Sequence, residues 1–166
     1  MIPIISVVGW SNSGKTTLIC KIIPYLREKG YRVATVKHDR HGFDWDQPGK
    51  DTYMHRQAGA VATAISSPRR FTLVKELEEE LSLEEIASLV GGVDLLITEG
   101  YKFGDKPKLE VFRRETAKDF KLVSLPQNLF AVASDYPFKV EGVPLFDLDD
   151  ARKIAELIEE KFLKAP

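Results

Sequence analysis

The stretch Gly9-Trp-Ser-Asn-Ser-Gly-Lys-Thr-Thr17 constrains this chain more than any other. It fits G-x-x-x-x-G-K-[ST], a loop that has to pass from a buried strand into a helix. The flanks agree. Ile2 to Val8 is a short apolar run rich in Ile and Val, which predicts a buried strand, and Leu18 to Glu28 has helical spacing. Leu18, Ile22 and Leu26 form one stripe there, with Ile19 and Ile23 beside it.

The residue types follow from the chemistry of holding a nucleoside triphosphate. Its phosphates need many donors at short range, so the backbone must curl with its N–H groups pointing inward. Gly14 lets the backbone turn and approach without a Cβ in the way. The following helix offers unpaired first-turn N–H groups and the positive end of its dipole. Lys15 is placed to reach the β- and γ-phosphates, and Thr16 to put its hydroxyl on Mg²⁺. Ser11, Asn12, Ser13, Gly14, Lys15, Thr16 and Thr17 are therefore the candidate phosphate cradle.

Size and composition exclude several classes. With 166 residues, 43% of them hydrophobic, the chain suits a single nucleotide-binding domain spanning 1–166. No run reaches the roughly 18–20 apolar residues of a membrane span. The N-terminus enters the first strand directly, without a signal-type segment, so a cytoplasmic protein is expected. A formal charge of −1 supplies no general attraction to nucleic acid. The single cysteine, Cys20, cannot form an internal disulfide and is expected to be a buried, small apolar residue of the first helix.

Further along, Arg32–Lys37 predicts a second strand and 38–50 a polar loop. Thr52–Ala58 reads as a short helix capped by Asp51, followed by strands Ala60–Ile65 and Phe71–Val74. Ser82-Leu-Glu-Glu85 has capping-box spacing and opens a helix to Val90. Strands Val93–Thr98, Leu109–Arg113 and Leu129–Ala133 follow, then a helix from Asp149 to Leu163. Pro24 inside the first helix removes one backbone donor and predicts a kink. Strands alternating with helices give an α/β fold, three layers deep, with a mostly parallel central sheet and helices on both faces.

In such sheets, ligands bind beyond the carboxyl ends of the strands, and three further groups fall there. Glu99 ends an apolar strand and could hold Mg²⁺ through water, position an attacking water, or be a solvated strand end. Lys15 and Glu99 are thus the candidate catalytic groups, and Thr16, Asp39 and Glu99 the candidate metal groups. Asp39 and His41 sit in Lys37-His-Asp-Arg-His41, where His38 and His41 also raise a zinc site as the lesser alternative. Asp135, after the strand Leu129–Ala133, could accept hydrogen bonds from guanine N1 and N2, or could simply make an Asx turn. Leu109–Arg113 alternates apolar and charged residues, which predicts a half-exposed strand at a sheet edge able to recruit a second chain.

Together with Pro48-Gly-Lys-Asp51, Arg56-Gln-Ala-Gly-Ala60 and Thr98-Glu-Gly-Tyr-Lys102, these segments resemble the MobB family across residues 2 to 135. That resemblance implies a P-loop GTPase-like fold, a homodimer, GTP and Mg²⁺ as ligands, and weak GTP hydrolysis. It also implies association with the guanylyltransferase that attaches GMP to molybdopterin, and possibly with other molybdenum cofactor enzymes, while charge and hydropathy give no nucleic-acid or membrane partner. Asn12 to Thr17 take the phosphate role, Thr16 and Glu99 the metal role, and the Asp39–His41 loop a switch-like role. No Asn-Lys-x-Asp motif occurs, so guanine selection falls to Asp135. A small-molecule kinase using ATP shares the phosphate loop but needs an acceptor pocket and usually an Arg-bearing lid. A nucleotide-stabilised scaffold is the third reading.

Overall fold

A computed structural model describes residues 2–117 and 120–164. The chain divides into two compact units, one comprising Met1–His38 and Leu83–Pro166, the other Asp39–Ser82.

The larger unit opens with β1 (Ile4–Val8), α1 (Lys15–Glu28) and β2 (Val33–Lys37). The smaller unit holds α2 (Asp51–Gln57), β3 (Ala62–Ser66) and β4 (Phe71–Lys75). The larger unit resumes with α3 (Leu83–Val90), β5 (Leu95–Glu99), β6 (Lys108–Phe112), β7 (Leu129–Ser134), β8 (Leu145–Phe146) and α4 (Ala151–Ile158). Its six strands form a sheet in the order β2-β5-β1-β6-β7-β8, and every adjacent pair is parallel. The antiparallel pairing β3–β4 belongs to the smaller unit.

Strands buried on both faces need continuous apolar sequence, and β1 supplies it. Ile5 and Val7 pack with Leu18, Ile22 and Leu26 of α1 and with Ile154 and Ile158 of α4. Ile4 packs on the other face with Leu96 and with Leu83 and Ala87 of α3. Helices thus cover both sides of the sheet. Beyond α4, the last turn widens into a π-turn at Glu159–Leu163, whose first residue accepts hydrogen bonds from Lys29 and from the Tyr31 hydroxyl.

Three expectations change. The strand at 108–112 is not a half-exposed edge. It lies between β1 and β7 with every residue buried, so it offers no free edge to a second chain. Its charges are satisfied locally. Lys108 donates to the carbonyls of Gly104 and Lys106, and Glu110 accepts the N–H groups of Val123 (2.6 Å) and Ser124 (2.9 Å). Burial lowers the pKa of Lys108 and raises that of Glu110, the latter opposed by its backbone hydrogen bonds. Cys20 is exposed rather than buried, because it falls between Ile19 and Ile22 on the outward side of α1. Helix α1 begins at Lys15, earlier than its apolar stripe suggests, and Pro24 lies within it. Pro24 and Cys20, whose carbonyl would otherwise receive the missing bond, are both exposed, which leaves that carbonyl to water.

Candidate functional site

β1 ends at Val8, and the backbone then turns through Gly9, whose φ is +143°. A Cβ on Gly9 would stand 2.1 Å from the Val111 carbonyl oxygen of β6, so the loop passes where only glycine fits. The Ser13 N–H bonds to the Trp10 carbonyl at 3.3 Å, and Asn12 (φ +61°) and Gly14 (φ +100°) take left-handed conformations. These turns deliver the chain to α1, whose first helical bond runs from the Leu18 N–H to the Gly14 carbonyl at 2.9 Å. The N–H groups before Leu18 lack intrahelical acceptors, and no side chain caps the helix. Ser13 is fully buried, and its hydroxyl oxygen has no partner.

Lys15 lies over this loop, donating to the Gly9 carbonyl at 3.3 Å and to the Trp10 carbonyl at 2.6 Å. Its pKa is lowered, chiefly by burial; Glu99 opposes the shift, while Lys102 and Lys37 reinforce it. Lys15, Lys37 and Lys102 therefore share one electrostatic neighbourhood with the Glu99 carboxylate, an environment that favours an arriving anion. The Lys102 ammonium also stands 5.5 Å from the centre of the Trp10 ring. Trp10 in turn donates its indole N–H to the Lys121 carbonyl at 3.3 Å.

Glu99 ends β5, the strand beside β1, in register with Val7. Its two carboxylate oxygens each lie 2.9 Å from the Thr16 hydroxyl. Two oxygen-bearing side chains 83 positions apart thus meet at the mouth of the loop. Past Glu99 the chain turns at Gly100 (φ +107°) and Tyr101 (φ +54°). A Cβ on Gly100 would come within 3.1 Å of the His38 Cβ, and the His38 ring stacks on Tyr101 at 4.4 Å. The stacked His38 and Tyr101 rings sit beside Glu99, an arrangement that follows from the pairing of β2 with β5 and from no local sequence pattern.

Asp135 follows β7 and is exposed, with Oδ1 accepting the Arg114 N–H at 2.8 Å. The turn into Tyr136 is made instead by Ser134, whose hydroxyl accepts the Tyr136 N–H at 2.8 Å. Asp39 belongs to the smaller unit, where its carboxylate accepts the His41 N–H at 2.9 Å. In the same unit Asp44 pairs with Arg56 at 2.8 Å, and Asp46 accepts the Thr52 hydroxyl at 3.0 Å. Trp45, Lys50, Asp51 and His55 line a cavity of about 650 Å³ within that unit.

The protein family described as molybdopterin guanine dinucleotide synthesis protein B, MobB, matches residues 4–135. The chain belongs to the MobB family. A molybdopterin-guanine dinucleotide biosynthesis adapter protein of Escherichia coli is 38% identical over 164 residues, spanning 96% of this chain and 93% of that protein. The Haemophilus influenzae protein of the same description is 32% identical over 160 residues, spanning 95% of this chain and 88% of that protein. Among solved structures, Bacillus subtilis MobB superposes with a TM-score of 0.78 at 30% identity, covering 99% of this chain and all of that one. A crystal structure of molybdopterin-guanine biosynthesis protein B gives a TM-score of 0.74 at 33% identity, covering 97% and 99%. The parallel α/β architecture is therefore that of MobB structures. No helix among the described residues is long and apolar enough to cross a membrane.

Proposed function

We propose that this MobB family member is a cytoplasmic adapter that binds GTP with Mg²⁺ in the Gly9–Thr17 loop and assists the guanylyltransferase attaching GMP to molybdopterin. The observation that carries the nucleotide reading is the meeting of Thr16 with Glu99 at 2.9 Å beside the Lys15 ammonium. A hydroxyl and a carboxylate are the hard oxygen donors that Mg²⁺ takes, with phosphate oxygens and water completing its shell. The unpartnered Ser13 hydroxyl and the glycine-only turn at Gly9 fit the phosphate cradle. Thr16 and Glu99 would hold Mg²⁺, which would supply positive charge against the phosphates.

Lys15 exchanges its bonds to the Gly9 and Trp10 carbonyls for phosphate oxygens, and their negative charge restores the pKa that burial lowers. Hydrolysis is slow in this reading, because Glu99 is committed to Thr16 and the metal and is not a free base. Asp135, at the end of β7, receives the guanine edge through the carboxylate capacity left by its single bond to Arg114.

The homodimer forms through the smaller unit. A two-stranded hairpin with one uncovered face is marginal in water, and β3–β4 leaves Phe71 (68%) and Leu73 (50%) exposed on the same face as Ala64 and Ser66. A second copy supplies the same apolar hairpin and covers both, with the unpaired strand edges aiding registration.

Calorimetric titration of GTP, GDP and ATP with and without Mg²⁺ tests the reading. GTP should bind at least tenfold tighter than ATP, and Mg²⁺ should strengthen GTP binding in the wild type but not in Glu99→Gln. Equal GTP and ATP affinities would remove the guanine assignment, and Mg²⁺-indifferent wild-type binding would remove the metal pair. Adapter function is tested by titrating the GTP-loaded chain with the guanylyltransferase, where absence of any heat or co-elution rejects it.

A further inference from the structure

We infer that Arg113 is a phosphate-binding residue that contacts the α- and β-phosphates from the β6 side of the loop. This rests on the proposed nucleotide site and adds to it a residue outside the loop motif. Arg113 directly follows β6, the neighbour of β1 on the side away from β5. Its guanidinium nitrogen Nη2 stands 3.6 Å from the position a Cβ on Gly14 would occupy, so the cation lies along the last turn of the phosphate loop.

The backbone of Arg113 is fixed while its side chain is not engaged. Its carbonyl accepts the N–H groups of Thr116 and Ala117, both at 3.1 Å, and the Thr116 hydroxyl at 3.2 Å. The guanidinium makes no hydrogen bond or ion pair among the described residues. Asp149, the carboxylate whose ionisation the charge of Arg113 favours, is already held by Lys21 at 2.6 Å. A half-buried guanidinium with five donors, placed beside amides that bind anions, is matched to phosphate oxygens.

Strand order fixes which phosphates it meets. Ligands lie across the carboxyl ends of the strands. Glu99 and Thr16 mark the metal end at β5, and Asp135 marks the base end after β7. Adjacent strands are about 4.8 Å apart, so β6 lies between those ends, where the inner phosphates run. Arg113 is thereby excluded from the γ-phosphate at the metal end and recognises diphosphate and triphosphate alike.

The test titrates GDP and GTP by calorimetry into the full chain as wild type, Arg113→Ala and Arg113→Lys, with thermal midpoints recorded without nucleotide. Arg113→Ala should weaken GDP and GTP by the same factor, about 10- to 100-fold from the strength of charged hydrogen bonds, with the thermal midpoint unchanged. Arg113→Lys, which keeps the charge but not the fork, should recover part of the loss in both. A loss confined to GTP would move the contact to the γ-phosphate and overturn the inference, as would unchanged affinity for both ligands. If the alanine variant does not fold, Arg113→Lys alone decides through the same GDP-to-GTP comparison. A wild-type chain that binds neither nucleotide overturns the underlying site as well. Wild-type binding with fully retained affinity in both variants overturns Arg113 alone.

Discussion

Replacing Glu110 by Ala should destabilise the protein by about 2–4 kcal/mol. Glu110 is fully buried in the middle of β6, and its two oxygens accept the N–H groups of Val123 and Ser124. Alanine leaves both donors without an acceptor. An orphaned buried donor costs about 1–3 kcal/mol, so the pair costs about 2–6 kcal/mol. Relief of the buried charge offsets part of this, and the Val123 donor is only partly buried, which brings the net to the lower half of the range. For a chain of this size each kcal/mol shifts the thermal midpoint by about 2–4 °C, so the drop should be about 4–16 °C by calorimetry or circular dichroism. The ionisation gives a second readout. Burial raises the folded-state pKa of Glu110 above its unfolded value. Its contribution is therefore fully present below the ordinary glutamate range and is lost as pH rises through the raised folded value. Glu110→Gln keeps one acceptor and no titration, so the stability difference between wild type and this variant should shift in favour of Gln as pH climbs through that window. A Glu110→Ala protein as stable as wild type, or a Gln variant with the wild-type pH slope, would refute this account of how β6 tolerates a charge.

Lys15→Ala should weaken GTP binding by roughly 100- to 10 000-fold, the equivalent of two charge-assisted bonds at about 1.5–3 kcal/mol each, and calorimetry reads it directly. Retained affinity would move the nucleotide elsewhere. Gly9→Ala should cost about 2–6 kcal/mol, summing backbone strain at φ +143° with the 2.1 Å overlap on the Val111 carbonyl. A thermal midpoint equal to wild type would mean the loop can move without penalty. If the proposed homodimer forms through the hairpin, the wild type should sediment as a dimer at micromolar concentration and Phe71→Glu as a monomer with its GTP affinity intact. A dimer that survives the substitution would place the interface off the hairpin.

The parts of the site that were legible in the sequence are those fixed by local rules. Gly9 to Thr17 needs a strand before it and a helix after it, and both follow from apolar spacing over a few residues. Glu99 could be placed at the ligand edge because a strand that ends in a carboxylate ends at that edge whatever its neighbours are. Arg113 could not be seen in this way. Its position beside Gly14 depends on β6 being the neighbour of β1, a consequence of strand order that no local pattern carries. The interior position of β6 was hidden for a related reason. The apolar and charged alternation of Leu109–Arg113 reads as one wet face, yet Glu110, like Lys108 just before that stretch, has its charged end satisfied by backbone groups, of the 123–124 and 104–106 segments respectively, which a periodicity argument does not weigh. Cys20 differs again. Its outward position was available from the helical stripe of Leu18, Ile22 and Leu26, and residue type misled where angle would have decided.

The contact between Thr16 and Glu99 sets two oxygen donors side by side before anything arrives. A hydroxyl that gives its one proton to a carboxylate keeps its oxygen lone pairs, and the carboxylate keeps lone pairs of its own, so the pair can hold together and still face a cation. In the proposed site, an ion carried in on a triphosphate would meet donors already in position, with no side chain to rearrange.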